Sequence, residues 1–525
     1  MTFSKNEKEK RCEMTTATLD EAMMLSGFGS YNILHMLMSG IILMGMIMQS
    51  LALGYVLPAA QCDLDLTLQQ RGWLSAIPFA AIILTSYFWG WLADTQGRRP
   101  IMLVSMLLSA ILSVFSSFAP EIISFAVLQF LSAIFTSGSS AVVYTYLGEF
   151  NNLRHRDKMV AFGSSFVGIG TVVLPCISWL ILPLEFAFPI DFLGIEYRPW
   201  RLQLVTFAIP FAIGTVLLFF APESPKFLNA TGKPNEALEV VKLIYSVNNR
   251  TSKDNFEVKN LVVEIQNSKS TVCSGFRGII FSMKEQTLPL FGMPFLPWIS
   301  LVCFVQFGIF AATNGFYVWF PSILNSLANH GGTETKICDV LDAARQPLEN
   351  GTIAVCDDTM NTATFERSIY IGLLFCSMYI IVGFLVDFVG KKLILVTVLA
   401  ITGLCGIGAH LAYDQQLAVV LFAVFQMSGA CIGLMNAVAV ELFPTKFRAM
   451  AICLGMMMGR VGSMVGSNLI GLFLEINCGA SFYLFGSLLV ANALFCITLP
   501  NKKKELKSPK KPAVEPIQYQ THEPV

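Results

Sequence analysis

Charged residues are scarce in this sequence. Asp, Glu, Lys and Arg make up 13% of the 525 residues, whereas a soluble domain carries about 25%. Hydrophobic residues reach 54% and the mean hydropathy is +0.62. A soluble globular protein is therefore excluded, and lipid is predicted to surround most of the chain.

Motifs for catalysis and metal binding are missing as well. The sequence has no G-x-x-x-x-G-K-[ST] loop for nucleotide phosphates and no H-x-x-x-H or C-x-x-C pair for a metal. We therefore predict that the protein is not an enzyme and needs no cofactor or metal. An ATP-driven pump and a nucleic-acid-binding protein also lack support.

Twelve apolar runs are long enough to cross a bilayer, which takes about 20 helical residues. Backbone groups in lipid must bond within their own segment, and the alternating pattern of barrel strands is absent, so the runs are predicted to be helices. The predicted fold class is an all-α membrane protein with twelve transmembrane helices. The runs lie at roughly 33–57, 72–93, 101–119, 122–147, 159–183, 202–221, 296–325, 368–389, 393–412, 416–441, 449–474 and 480–500.

Lys and Arg indicate the orientation of these spans, because both are enriched in cytosolic segments. With both termini in the cytosol, 28 of the 35 Lys and Arg residues fall on the cytosolic side. The sequence thus predicts a cytosolic N-terminal tail at 1–30 and a basic cytosolic tail at 501–525. The lysines of the second tail either attract anionic lipid or serve only as a topology anchor.

The spans divide into two sets of six joined by a polar segment. The predicted halves are 31–221 and 296–500, and the predicted cytosolic linker is 222–295. Apolar residues at helical spacing over 235–245 predict an amphipathic helix in the linker. This helix is either a latch that braces the closed cytosolic side or a packed connection.

The long outer loop at 326–367 carries signals for modification. Asn350 begins an N-x-[ST] sequon and is predicted to be glycosylated. Cys338 and Cys356 lie in this one loop and are the first candidates for a disulfide. Cys62 and Cys478 also fall near the outer face and could pair instead.

A polar turn occurs twice, 293 residues apart. Residues 90–99 (GWLADTQGRR) and 383–392 (GFLVDFVGKK) both read G-x-x-x-D-x-x-G-(K/R)-(K/R), and each lies between the second and third span of its half. The glycines permit close helix contact and a tight reversal. The aspartates can cap or pair at the membrane surface, and the cations hold the turn in the cytosol.

An acidic residue at the end of a span is repeated in the same way. Glu149 ends the fourth span and Glu441 ends the tenth, and basic residues follow each. Each carboxylate could pair with the turn of its own half when the cytosolic side is closed and separate when it opens. The alternative is surface pairing worth under about 1 kcal/mol per pair. The predicted cytosolic gate comprises Gly90, Asp94, Gly97, Arg98, Arg99, Glu149, Arg154, Gly383, Asp387, Gly390, Lys391, Lys392, Glu441 and Arg448.

Two six-helix halves that share this turn resemble the major facilitator superfamily. Residues 222–228 (PESPKFL), 146–149 (YLGE) and 441–448 (ELFPTKFR) are similar to signatures of sugar porters and organic-ion transporters. Four shorter segments resemble the synaptic vesicle glycoprotein 2 family: 19–22 (LDEA) with 27–29 (GFG), 57–64 (LPAAQCDL) and 318–321 (VWFP).

The resemblance implies a binding site between the halves, near the membrane midplane. It implies a secondary active or facilitative transporter that moves a small polar or ionic organic solute by alternating access. The alternative is a synaptic-vesicle-type membrane protein that keeps the transporter fold and acts mainly through interactions in regulated secretion. We expect a monomer in a vesicle or plasma membrane. That family usually has an acidic pair in its first span, but 43–49 (LMGMIMQ) has no acid, so proton or cation coupling there lacks its usual residues.

One charged residue is predicted near the middle of the membrane. Arg460 lies about 18 Å from the start of the eleventh span, at about 1.5 Å per residue. No Asp or Glu lies at that depth in any span, so Arg460 needs an anionic ligand, carbonyl partners or water in a central cavity. Polar residues on the spans that line the cavity in the superfamily complete the candidate site, although each could equally bond between helices. These residues are Gln49, Gln129, Tyr144, Asn314, Tyr317, Gln426 and Asn436.

Overall fold

A computed structural model describes residues 16–262, 287–330, 336–343 and 359–500 of the chain. The predicted glycosylation site Asn350, Cys356 and the basic tail at 501–525 lie outside the described residues. The side chains of Asp387 and Arg448 also lie outside what the structure describes.

Within these ranges, twelve helical segments are long and apolar enough to cross a membrane, which confirms the predicted fold class. Polar residues mark where several of them begin: the Thr67 hydroxyl accepts the backbone N–H of Gln70 at 3.2 Å, and the Asp414 carboxylate accepts that of Leu417 at 3.2 Å. Spans 1 to 12 are formed, in chain order, by Ser30–Leu51 with Leu53–Ala59, Leu68–Gln96, Arg98–Ser116, Ile122–Glu149, Arg156–Ile181, Pro199–Phe220, Leu296–His330, Thr362–Val389, Lys391–Leu411, Gln415–Gln426 with the 3₁₀ turn Met427–Ala430 and Cys431–Leu442, Thr445–Ile476, and Cys478–Cys496.

The packing of the spans repeats between the halves. Spans 1 and 5 pack together as spans 7 and 11 do, and spans 3 and 6 pack together as spans 9 and 12 do. Between the halves, span 2 packs along span 11 and span 5 along span 8, which are equivalent pairs when six is added to each number. The two halves are therefore related by an approximate two-fold axis.

We call the face that carries residues 97–99 and 390–392 the inner face, and the opposite face the outer face. The hydrophobic core of the outer part crosses between the halves. Residues 51–57 of span 1 are buried in one cluster with Val318 of span 7 and Phe365 of span 8. Apolar burial thus holds the outer ends of the two halves together.

The described part of the linker lies on the inner face against the N-terminal half. The segment 235–245 forms part of helix Pro234–Asn249. The Asn248 amide donates to Asn32 at 2.9 Å and accepts the backbone N–H of Tyr31 at 3.0 Å. These bonds attach the linker to the start of span 1, which favours a packed connection on one half.

The other short elements are helices Leu19–Leu25, Pro225–Ala230 and Ile337–Ala343, the 3₁₀ turns Lys253–Asn255 and Leu288–Phe291, the parallel strand pair Thr16–Ala17 and Asn260–Leu261, and the antiparallel pair Phe188–Ile190 and Ile195–Tyr197.

The disulfide pairing differs from the first prediction. Cys338 is bonded to Cys478, with Cα atoms 5.5 Å apart, so the proposed pairing of Cys338 with Cys356 is wrong. Helix Ile337–Ala343 packs against spans 9 and 12, and this contact brings Cys338 to the first residue of span 12. Proximity in sequence was therefore a poor guide to the partner. Cys62 is also disulfide-bonded.

Candidate functional site

The turn of the N-terminal half is built around one carboxylate from the linker. Gly97 has φ +109°, and a Cβ there would lie 2.5 Å from Glu223 Oε2, so only glycine fits. The Glu223 carboxylate accepts the backbone N–H groups of Arg98 and Arg99 at 3.2 Å each. It thereby satisfies orphan donors at the start of span 3. Burial raises the pKa of Glu223, against the opposing effect of these backbone hydrogen bonds.

Arg98 joins this turn to the inner end of span 4. Its guanidinium lies 2.9 Å from an Asp94 oxygen and 3.3 Å from a Glu149 oxygen. The Glu149 side chain is only 6% exposed, and the oxygen that faces Arg98 Nε also accepts the Ser224 hydroxyl at 2.5 Å. The predicted residues Asp94, Arg98 and Glu149 thus form one cluster inside their own half. Arg154 is exposed and forms no ion pair with the described residues.

The described side chains in the turn of the C-terminal half repeat part of this arrangement. Lys391 pairs with Glu441, as Arg98 pairs with Glu149. Lys392 donates to the carbonyl of Leu499 at 2.5 Å, just after span 12. Arg99 donates in the same way to the carbonyl of Phe219, at the end of span 6. The repeat in the sequence therefore corresponds to a repeat in side-chain partners.

The halves pack closely on the outer side, whereas the first glycine of each inner turn has open space around it. Among the described residues, a Cβ on Gly90 or Gly383 would meet no neighbouring atom within 4 Å. On the outer side, a Cβ on Gly54 would lie 3.0 Å from the Val318 carbonyl oxygen of the other half. The Tyr317 hydroxyl also crosses between halves and donates to the Thr171 carbonyl at 3.4 Å.

Arg460 lies between these two regions, on span 11, and faces the other half. Its guanidinium carbon is 5.5 Å from the ring centroid of Phe310 on span 7. The phenol of Tyr144 on span 4 is close enough to interact with it electrostatically. Within the described part of the chain, Arg460 forms no ion pair or hydrogen bond.

Glycines place Arg460 against span 7. A Cβ on Gly459 would lie 2.6 Å from the Phe310 ring, and one on Gly462 would collide with the Phe307 carbonyl. The two helices can approach this closely only because span 11 has glycine at both positions. The arginine backbone is therefore fixed beside the aromatic ring.

Two of the predicted amides flank Arg460 on the same seam. Asn314 donates to the Ser463 hydroxyl at 3.0 Å, one turn towards the outer face. Asn436 accepts from Gln306 at 2.8 Å and donates to the sulfur of Met456 at 3.3 Å, one turn towards the inner face. Spans 7, 10 and 11 thus form a polar seam around the cation.

The structure does not bring Gln49 and Gln129 to Arg460. Gln49 donates to the Phe207 carbonyl at 3.4 Å, and Gln129 donates to the Ser116 hydroxyl at 2.9 Å. Both residues line a cavity of about 10 Å³ inside the N-terminal half, which has room for one water molecule. Their observed contacts are interhelical bonds.

Tyr317 and Gln426 line a second small cavity, between the halves and nearer the outer face. Tyr55 of span 1 closes it from the N-terminal half, and its volume is also about 10 Å³. The Gln426 amide, oriented to satisfy both ends, donates to the Thr313 carbonyl at 3.3 Å and accepts the Tyr317 backbone N–H at 3.2 Å. Of the seven polar candidates around Arg460, the structure therefore gathers Tyr144, Asn314 and Asn436.

Two outer-face arginines have specific partners that the sequence did not reveal. Arg71 forms no ion pair with the described acidic residues, but it donates to Gln61 at 2.9 Å and lies 5.2 Å from the ring centroid of Trp319 in the other half. Arg201, with a side chain 2% exposed, pairs with Asp63 at 2.9 Å. The LPAAQCDL segment contains both Gln61 and Asp63, which was the signal available in the sequence.

A family model described as Major Facilitator Superfamily matches residues 36–337 and 368–522. The chain belongs to the major facilitator superfamily. It is similar to synaptic vesicle glycoprotein 2A of Homo sapiens, with 27% identity over 62% of this chain and 45% of that protein. Synaptic vesicle glycoprotein 2C of Mus musculus is 26% identical over 57% of this chain and 44% of that protein. The matched part thus spans less than half the length of these relatives.

Solved structures show the same superfamily fold. The xylose transporter XylE from E. coli, in a partially occluded inward open conformation, matches with a TM-score of 0.63 over 90% of this chain and 100% of that one. The sequence identity is 14%. A D-xylose-proton symporter structure also matches with a TM-score of 0.63, at 15% identity over 90% of this chain and 99% of that one.

Proposed function

We propose that this chain is a secondary active or facilitative transporter that moves a small polar or ionic organic solute by alternating access. The observation that carries the proposal is the position of Arg460. It is a cation inside the bilayer, on a span that contacts the other half, and it forms no ion pair or hydrogen bond with the described residues. A membrane-embedded charge is costly unless it serves a ligand or a water-filled path.

The arrangement of contacts supports an inward-facing state. The halves meet through Gly54 with Val318 and through Arg71 with Trp319, both on the outer side, whereas Gly90 and Gly383 have open space around them. Rocking one half against the other would separate the outer contacts and bring the inner ends together. The central site would then be exposed to the outer face. In this assignment the Arg98–Glu149 and Lys391–Glu441 pairs are formed while the inner side is open, which argues against the predicted separation of these pairs on opening. Each pair would instead order the inner end of its own half in both states.

The membrane setting follows from the charge distribution. We propose that the inner face is cytosolic, with both termini on that side, and that the protein works as a monomer in a vesicle or plasma membrane. Glycosylation at Asn350 and attraction of anionic lipid to residues 501–525 belong to the same proposal. The C-terminal gate residues Asp387 and Arg448 are assigned to it by sequence alone.

Uptake into proteoliposomes tests the proposal. The purified chain should give saturable uptake of a small polar or ionic organic solute from a broad radiolabelled panel, above that of empty liposomes. Arg460→Ala and Asp94→Asn should reduce this uptake by at least about tenfold, which corresponds to about 1.4 kcal/mol. Absence of flux for every solute class, with a secretion phenotype intact in both variants, would favour the interaction protein instead.

A further inference from the structure

We propose that Arg460 binds the carboxylate of a singly charged organic anion between the two halves. This inference rests on the proposed transport function and names the class of solute. It starts from the isolation of the Arg460 charge. The acidic residues of the described spans all lie near span ends, at Asp94, Glu149, Asp157, Glu366, Asp387, Glu441 and Glu475.

Two buried arginines at the outer ends of spans have acceptors that Arg460 lacks among the described residues. Arg201 pairs with the Asp63 carboxylate, and Arg71 has the Gln61 amide and the Trp319 ring. Arg460 has a ring on one side, from Phe310, and no acceptor among the described residues. The described residues therefore provide acceptors for arginines at the outer ends of spans, but none for the N–H donors of Arg460.

The surroundings of Arg460 are accessible although they lie within the bundle. The Tyr144 side chain, which faces Arg460 from the other half, is 36% exposed. On the inner side of the site, Met457 is 39% exposed and a Cβ on Gly433 would meet no neighbour within 4 Å among the described residues. In the proposed binding mode, the solute approaches the guanidinium from the inner face along this exposed surface.

The chemistry of the lining selects the anion. A guanidinium presents two parallel N–H donors, which match the two oxygens of a carboxylate. Met457 offers apolar surface for the rest of the solute, and the exposed Tyr144 side chain offers an aromatic ring and a hydroxyl donor from the opposite half. Because one cation lies at this depth, one negative charge neutralises the site, and a second would be left uncompensated in a low-dielectric region.

Thermal unfolding of the purified full chain in detergent tests the inference without requiring flux. The seven tryptophans provide the signal. The probes are sodium acetate, butyrate and benzoate, each compared with its neutral amide and with sodium chloride at equal ionic strength. At saturating concentration, at least one carboxylate should raise the unfolding midpoint by about 2 °C or more, and the amides should not.

Two variants separate binding from folding. Arg460→Gln should lose the response to carboxylate, and its midpoint without ligand should stay equal or rise, because an uncompensated buried charge is removed. A purely structural arginine predicts a fall. Arg198→Gln removes an outer-face arginine instead and should keep the full carboxylate response.

Several results would overturn the inference: equal shifts with carboxylates and amides, an unchanged response in Arg460→Gln, or no shift with any of the three carboxylates. Succinate, phthalate or inorganic phosphate stabilising as strongly as benzoate would overturn the single-charge assignment. Carboxylate binding without uptake in proteoliposomes would support the inference and contradict transport. Uptake of neutral solutes that does not depend on Arg460 would support transport and contradict the inference.

Discussion

The guanidinium of Arg71 lies over the indole ring of Trp319, with 5.2 Å between the guanidinium carbon and the ring centroid. Arg71 belongs to span 2 and Trp319 to span 7, so this contact joins the two halves at the outer face. Trp319 is fixed in turn by a hydrogen bond from its indole N–H to the Ser467 carbonyl at 2.8 Å. A desolvated cation–π contact contributes about 2 kcal/mol, which is enough to bias an equilibrium between two conformations.

Arg71→Leu should therefore open the outer side more often. A cysteine introduced at Asn468, which lies beside Gly72 in the contact between spans 2 and 11, should react several-fold faster with a membrane-impermeant maleimide added from outside. Arg198→Leu is the control, because the partners of Arg198 among the described residues, Asp63 and Glu196, belong to its own half. Equal labelling rates in Arg71→Leu and the parent would show that Arg71 does not hold the outer side closed.

Glu149 and Glu441 should differ in their contribution to stability although they occupy equivalent positions. The Arg98–Glu149 pair is 13% and 6% exposed, whereas the Lys391–Glu441 pair is 31% and 47% exposed. Glu149→Gln should lower the free energy of unfolding by about 3 kcal/mol, because it leaves Arg98 with the exposed Asp94 as its one described carboxylate partner. Glu441→Gln should cost under about 1 kcal/mol. Denaturant unfolding in micelles measures the free energy of unfolding of both variants. Similar losses in Glu149→Gln and Glu441→Gln would contradict the assignment of a larger contribution to the buried pair.

Glu223 predicts how stability changes with pH. Burial raises its pKa above the ordinary glutamate value. The folded state thus binds this proton more readily than the unfolded state, so the contribution of Glu223 to stability is favourable below the raised pKa and is lost as the pH rises through it. Glu223→Gln should flatten this part of the profile of unfolding midpoint against pH. Glu236→Gln, at an exposed site of the same linker, should leave the profile unchanged, and a flat parent profile would be inconsistent with the shift.

The disulfide between Cys338 and Cys478 should be recovered by peptide mapping. Non-reducing digestion followed by mass spectrometry should yield a linked peptide that contains both residues. Cys338→Ser should lower the free energy of unfolding by about 2–5 kcal/mol, as loss of a native disulfide usually does. Recovery of Cys338 linked to Cys356 would restore the pairing predicted from the sequence and contradict the structure.

The twelve spans were predictable because lipid forces each crossing segment to be a long apolar helix. The pairing of Glu149 and Glu441 with the turns was accessible because both features repeat at nearly the same offset. The absence of acids from the span interiors singled out Arg460. These are properties of the sequence in one dimension, and they do not depend on which face a helix presents.

The remaining contacts join residues that are far apart in the sequence, and no local sequence pattern predicts such pairs. Glu223 reaches an amide 125 residues away, Arg71 meets a ring in the other half, and Cys338 bonds a residue 140 positions later. Gln49 and Gln129 illustrate a different difficulty. They lie on spans expected to line the central cavity, but helix rotation turns them towards neighbouring helices of their own half.

Alternating access itself is tested most directly by two distances measured in one protein by electron paramagnetic resonance. Spin labels at Thr95 and Phe384, exposed near the inner ends of spans 2 and 8, report the inner side. Labels at Trp73 and Ile476, exposed near the outer ends of spans 2 and 11, report the outer side. In Arg71→Leu, the inner distance should shorten while the outer distance lengthens. Distances that stay fixed, or that lengthen together, would contradict a rocking motion about a central site.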